Sequence, residues 1–177
     1  MTALVGDSIT LRALEPNDIA WLHPLENDES LWEVSHTITP FSKHILTEYI
    51  NNAHRDIYEV KQLRLVITLT EDMRPIGCID LFDFDPKHRR AGVGIVIFDK
   101  ETRGKGYAKQ ALQQLCRYAF KTLDLHQVYA HITLDNTKSK QLFTACGFSQ
   151  TSIRKDWVKT ENGFKDEAIY QCFQSPT

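Results

Sequence analysis

A mixed α/β fold (α+β), with about seven strands in one mostly antiparallel, twisted sheet and about four helices on its faces, is predicted by three observations. First, residues 91–120, AGVGIVIFDKETRGKGYAKQALQQLCRYAF, lay out a strand, a glycine loop and a helix. Second, two strand-like runs joined by short polar turns lead into that stretch and make a three-strand meander with its opening strand, as antiparallel neighbours do. Third, the chain closes on two strand-like runs joined at Asn162-Gly163, a hairpin signal.

Taken in order, residues 8–14 alternate Ile9 and Leu11 with Thr10 and Arg12 and predict the first strand. Pro16-Asn17-Asp18 opens a helix carrying Ile19, Trp21, Leu22 and Leu25, with Pro24 ending it or making it irregular. Residues 27–40 are loop or a short helical turn. Ser42 caps a helix to about residue 58, with Ile45, Tyr49, Ile50 and Ala53 inward. Residues 64–70, 76–84 and 93–98 form a meander of three strands, the last continuously apolar and so expected to be buried on both faces. After the loop, Ala108, Ala111, Leu112, Leu115 and Ala119 recur at helical spacing. Residues 127–134 make a strand, Asp135-Asn136 starts a helix that Gly147 ends, and residues 148–159 and 164–173 are the last two strands.

The loop Arg103-Gly104-Lys105-Gly106-Tyr107-Ala108 is where chemistry is expected. Two glycines let successive backbone N–H groups converge, and the following helix adds unpaired amides and the positive end of its dipole. Arg103, Lys105 and Lys109 add mobile positive charge, which suits a ligand with several phosphates. A Walker A loop needs a different glycine spacing and a terminal hydroxyl, and a dinucleotide fingerprint needs a third glycine; neither fits.

With 177 residues, 42% of them hydrophobic and 25% charged, the chain is long enough for one well-buried core and is expected to be a single domain, 1–177. A formal charge of −2 and a pI near 6.4 argue against a nucleic-acid partner and leave room for a cationic substrate. The four cysteines, Cys78, Cys116, Cys146 and Cys172, are scattered and form neither a zinc knuckle nor a redox pair, so no metal site is expected. No apolar stretch approaches the ~20 residues of a membrane span and no leader pattern opens the chain, so no membrane partner and a cytoplasmic location are expected.

The loop resembles the acetyl-coenzyme A loop of the GNAT N-acetyltransferase superfamily, Arg/Gln-x-x-Gly-x-Gly/Ala, met here by Arg103, Gly106 and Ala108. Within it the chain is similar to spermidine N-acetyltransferases and to relatives that acetylate ribosomal-protein N-termini. Residues 10–18 (TLRALEPND), 77–91 (GCIDLFDFDPKHRRA) and Asn136 through Ser139 to Gly147-Phe148 carry that resemblance. It implies an acetyl-coenzyme A-dependent N-acetyltransferase acting on a small cationic amine, a polyamine or diamine first. Acetylation of a protein α-amine and a non-catalytic coenzyme A sensor are the alternatives, and a homo-oligomer is allowed.

The resemblance also places roles. Arg103, Gly104, Lys105, Gly106, Tyr107 and Ala108 would grip the pyrophosphate; Val96, Ile97 and Phe98 would lie beside the pantetheine and thioester; Asn136 would bond the pantetheine arm. A backbone N–H at Ile97 or Phe98 would hold the developing oxyanion. The family's leaving-group tyrosine is replaced by Phe143, which has no proton to give. Because the amine must lose a proton, a carboxylate is sought. Period-two geometry puts Asp83 on one face with Ile79 and Leu81, making it the expected base, with Asp80 on the other face. Glu33, Asp80 and Asp83 are the expected substrate contacts. Among the seven histidines, His88, His126 and His131 lie near strand ends, where a structural role is expected.

Overall fold

In a computed structural model that describes residues 4–175, seven strands form one sheet in the order β1-β2-β3-β4-β5-β7-β6. The strands are β1 (Ile9–Arg12), β2 (Leu63–Leu69), β3 (Pro75–Asp85), β4 (Arg90–Ile97), β5 (Gln127–Thr133), β6 (Ser149–Thr160) and β7 (Gly163–Phe173). Every adjacent pair is antiparallel except β4 and β5. The helices are α1 (Ile19–Glu26), α2 (Glu29–Ser35), α3 (Lys43–Asn51), α4 (Ile57–Val60), α5 (Tyr107–Lys121) and α6 (Thr137–Ala145). No helix among the described residues is long and apolar enough to cross a membrane.

The two faces of the sheet differ. On one, Ile9, Leu11, Ile67, Ile79, Leu81, Val93, Val128 and Ile132 pack with Ala111, Leu112, Leu115 and Ala119 of α5 and Phe143 of α6 in one core. The stripe read from the sequence is therefore the buried face of α5. Over the other face, Leu22, Leu46 and Ile50 form a smaller cluster joining α1 and α3, with Trp21, Phe41 and Tyr49 at its edge. Burying a leucine or isoleucine contributes about 1.5–3 kcal/mol, so the first cluster supplies most of the hydrophobic stabilisation.

Three details differ from the sequence reading. The helix expected over residues 42–58 breaks after Asn51: the Asn52 side chain and amide both bond to the Glu48 carbonyl, and four residues later Asp56 caps α4. Asparagine competes with the helix for backbone groups, which the apolar spacing did not weigh. Ile45 is 54% exposed and Leu46 takes the inward place. Residues 27–40 contain a full helix, α2, whose cap is Asp28, accepting from the Ser30 amide at 3.0 Å.

A fourth correction concerns Asp83. Register shifts between Phe82 and Asp85, and Asp83 adopts φ 48°, a left-handed conformation at a bulge. The bulge resets the alternation, so Phe84, 2% exposed, continues the buried row of Ile79 and Leu81, while Asp83 is exposed. The shared aliphatic face proposed for Asp83 does not exist. All four cysteines are free thiols, with Cys78 and Cys116 buried.

Candidate active site

The site begins where the sheet parts. β4 and β5 pair through only three rungs, Arg90↔Gln127, Ala91↔Val128 and Gly92↔Tyr129, and then diverge. That split explains why the second half of β4, continuously apolar in sequence, is only half-buried. Its backbone is asymmetric there. The Phe98 amide donates to the Ile76 carbonyl at 3.0 Å, on the β3 side, so by strand alternation the amides of Ile95 and Ile97, beyond the last β4–β5 rung, point into the split. Of the two expected oxyanion donors, Ile97 is thus free to serve and Phe98 is committed. Instead the Phe98 ring stacks on Trp21, centroids 4.9 Å apart, tying α1 to the end of β4.

Because β4 and β5 are parallel, their carboxyl ends lie side by side, and the helices that follow them, α5 and α6, begin at the mouth of the split. The β4–α5 connection is a short 3-10 turn, Lys100–Thr102, capped by Asp99, which also pairs with Arg74. Arg103 donates from Nε to the Ile97 carbonyl at 2.9 Å, which pins the loop to the strand. Gly104 (φ 76°) and Gly106 (φ 83°) then take left-handed backbone, and a Cβ on either would meet nothing within 4 Å. The glycines are required by conformation and by an open approach to the backbone, and Gly106 is the N-cap of the 15-residue α5. Arg103, Gly104, Lys105, Gly106 and Lys109 are exposed; Tyr107 and Ala108 are half-buried. The result is an open, cationic cradle for an anion.

On the other side of the mouth, Asn136 caps α6, its Oδ1 accepting from the Ser139 amide at 3.1 Å. Phe143, the seventh residue of that helix and on its buried side, is 4% exposed and meets Phe148 edge-on at 4.9 Å. It belongs to the core and donates nothing.

The three expected acids do not converge. Asp80 receives Nε and Nη2 of Arg64, both at 2.8 Å, and Arg64 also pairs with Glu26 beneath the Tyr49 ring, 5.8 Å from its centroid. Burial there pushes the Tyr49 hydroxyl and the Cys78 thiol each up to about 12. Glu33 on α2 pairs with Lys165 of β7, which also holds Asp135 at 2.8 Å. Asp83 stands alone on its bulge. What sequence reasoning missed lies nearby on β5 and β7: His131 with its Nδ1 3.5 Å from Oε1 of Glu167, a carboxylate only 3% exposed. The signal was the alternation in QVYAHIT, which puts Tyr129, His131 and Thr133 on one face against Val128, Ala130 and Ile132. Among the described residues no group of side chains is arranged to hold a metal.

A sheet split between parallel strands, with a glycine cradle and two helix N-termini at its mouth, is the architecture of a coenzyme A-dependent acyltransferase. The chain belongs to the acetyltransferase (GNAT) domain family, which it matches over residues 8–149. A spermidine N(1)-acetyltransferase of Vibrio cholerae is 31% identical over 146 residues, covering 81% of this chain and 80% of that protein. That of Escherichia coli K12 is 28% identical over 80% of this chain and 73% of its own length. Among solved structures, the Vibrio cholerae spermidine N-acetyltransferase in complex with CoA and spermine superposes with a TM-score of 0.84 at 27% identity, covering 96% of this chain and 97% of that one. A dodecameric form of the same enzyme gives 0.78 at 29% identity, covering 96% of each chain.

Proposed function

We propose that this protein transfers the acetyl group of acetyl-coenzyme A to a primary amine of a small polyamine or diamine, spermidine first. The observation that carries the reading is the split beside Ile97, where a thioester would lie along β4 with its carbonyl oxygen at a preplaced amide. Backbone N–H groups from Gly104 to Ala108, with Arg103 and Lys105, grip the pyrophosphate; Val96 and Ile97 flank the pantetheine and thioester, and Asn136 reaches the arm. Glu29 and Glu33 on α2, Asp28 at its cap and exposed Asp83 attract a polycation, with Glu26 beside them in its pair with Arg64. Glu33 and Asp80 act within ion pairs, so they shape and charge the acceptor region. A single catalytic domain accounts for the chain, although its limits at residues 1 and 177 fall outside the described residues.

The protein also self-associates in this reading, since Ile38 (87% exposed), Val34, Trp157 and Phe164 leave large apolar side chains in solvent. Sedimentation should then give a mass well above the 20.4 kDa of one chain, and a species of that mass alone would remove the assembly from the proposal.

The activity test is release of coenzyme A thiol with spermidine, spermine, putrescine and N-terminal peptides as acceptors. Turnover on the polyamines is expected. Turnover on peptides alone would move the substrate class to protein α-amines, and saturable cofactor binding with no acceptor used would remove the transferase reading.

A further inference from the structure

Beyond the last β4–β5 rung, the first β5 side chain on the sheet face opposite the α5–α6 core is His131; Gly94 is the residue two beyond Gly92 on β4, as His131 is two beyond Tyr129 on β5. A Cβ at Gly92 would strike the Phe82 ring at 2.3 Å, whereas at Gly94 it would meet nothing nearer than 4.0 Å. The space is filled at the last rung and open beside the position that His131 faces. Phe82 stacks on the imidazole at 6.3 Å and Tyr129 meets it edge-on at 5.4 Å, which fixes the ring plane.

The ring's two nitrogens have different surroundings. Nδ1 is fully buried without a hydrogen-bond partner, and it stands 3.5 Å from Glu167 Oε1. Next to a buried carboxylate, Nδ1 is the nitrogen that must carry the proton, because two lone pairs would otherwise face each other. Nε2 then keeps its lone pair, and the 21% of the side chain that is exposed lies on the side away from Nδ1. The distance is long for a hydrogen bond, as is common before substrate closes a site. Two of the other expected acids are already committed, Asp80 to Arg64 and Glu33 to Lys165, and Asp83 is exposed to solvent on its bulge.

We propose that His131 is the base that takes the proton of the attacking amine, directly or through one water, and that Glu167 is a positioning residue that fixes its tautomer and steadies the imidazolium. The inference rests on the amine acetylation proposed above. The neutral amine nitrogen attacks the thioester carbonyl carbon, forming the C–N bond and an oxyanion at the Ile97 amide. The nitrogen's proton passes to Nε2 of His131; the C–S bond breaks with its electron pair leaving on sulfur as thiolate. The products are the acetamide and coenzyme A, and the imidazolium returns its proton to solvent. With a thiol pKa near ~8.5 the thiolate departs without a donor, which is consistent with Phe143 in the core.

Several groups face the ring. Burial lowers its pKa; Glu167 on β7 and Asp83 at the β3 bulge oppose that, while Arg154 on β6 and His36 at the end of α2 add to it. The net direction is down, so the ring is neutral near pH 7 and activity falls on the acid side as it charges.

The test compares wild type, His131→Asn and Glu167→Gln across about pH 5.5–9 for kcat and KM with spermidine and acetyl-coenzyme A, with coenzyme A binding measured by calorimetry. His131→Asn should lose on the order of 10²-fold in kcat with an unchanged coenzyme A Kd, and lose the acid limb. Glu167→Gln should lose less and move the acid limb to lower pH, because the anion that favours the imidazolium is gone. Wild-type kcat and pH profile in His131→Asn would overturn the assignment while leaving the acetyltransferase intact. Should that variant fail to bind coenzyme A, the Glu167→Gln limb decides: a shift supports the pair and an unmoved limb overturns it. No turnover by wild type on any amine would overturn both readings, and the wild-type assay alone distinguishes that case.

Discussion

At Gly106 one residue's backbone decides whether the cradle exists. Its φ of 83° costs an L-residue roughly 1–2 kcal/mol, and a branched side chain there would also stand over the amides meant for phosphate. Gly106→Val should therefore raise the coenzyme A Kd by roughly tenfold or more in calorimetry, with the fold retained by circular dichroism. An unchanged Kd would separate the loop from cofactor binding. Asp18 is the structural counterpart. Its carboxylate, 3% exposed, takes both Nη atoms of Arg12 at 2.8 and 2.9 Å, the Glu15 amide at 2.7 Å and the Trp21 indole at 2.8 Å. Burial opposes its ionisation, but these donors prevail and hold it below the usual carboxylate range. A depressed folded pKa means that the stability it contributes is present above the unfolded value near ~3.9 and is lost as pH falls through the folded one. Asp18→Asn should cost about 2–3 kcal/mol in urea titrations at pH 7. The gap to wild type should narrow below about pH 4; a gap independent of pH would rule out the charged network as its source.

Among the elements, the β3–β4 ribbon carries most of the design. Phe82 lies across Gly92, so a methyl at that glycine would meet the ring at 2.3 Å. Gly92→Ala should destabilise by about 1–3 kcal/mol through overpacking, and Phe82→Leu in the same chain should recover part of it. Full additivity of the two substitutions would show that the contact is not the cause. The same ribbon marks how far local pattern reaches. The order of strands, the loop and the α5 stripe were legible because each rests on periodicity within one segment. Asp83 was not, because one bulge residue shifts the phase of everything after it, and nothing in IDLFDFD announces where the extra residue sits. Nor was the commitment of Phe98's amide, which depends on its register with Ile76, or the meeting of His131 with Glu167, 36 positions apart in sequence and on paired strands. Side-chain chemistry alone suggested acids as bases; the ion pairs that occupy Asp80 and Glu33 are tertiary and left no local trace.

For the whole molecule, the sheet is one surface of seven strands whose two halves are joined by three rungs. The half holding β1 to β4 is gripped on one side by α5, and the half holding β5 to β7 is tied to the acceptor helices through the Glu33–Lys165 ion pair. Relative movement of the halves would be felt at the cleft between them. An interior strand whose amides lack partners is, in effect, a vacant lane for an extended molecule, and whatever fills it completes the sheet. Deuterium uptake gives that idea a readout: the Ile95 and Ile97 amides should exchange faster than those of Gly94 and Val96 on the same strand and of Phe98 just after it, and slow when acetyl-coenzyme A is added. Alternate residues along five consecutive positions would then report occupancy separately from stability, because the amides turned toward β3 serve as the internal reference.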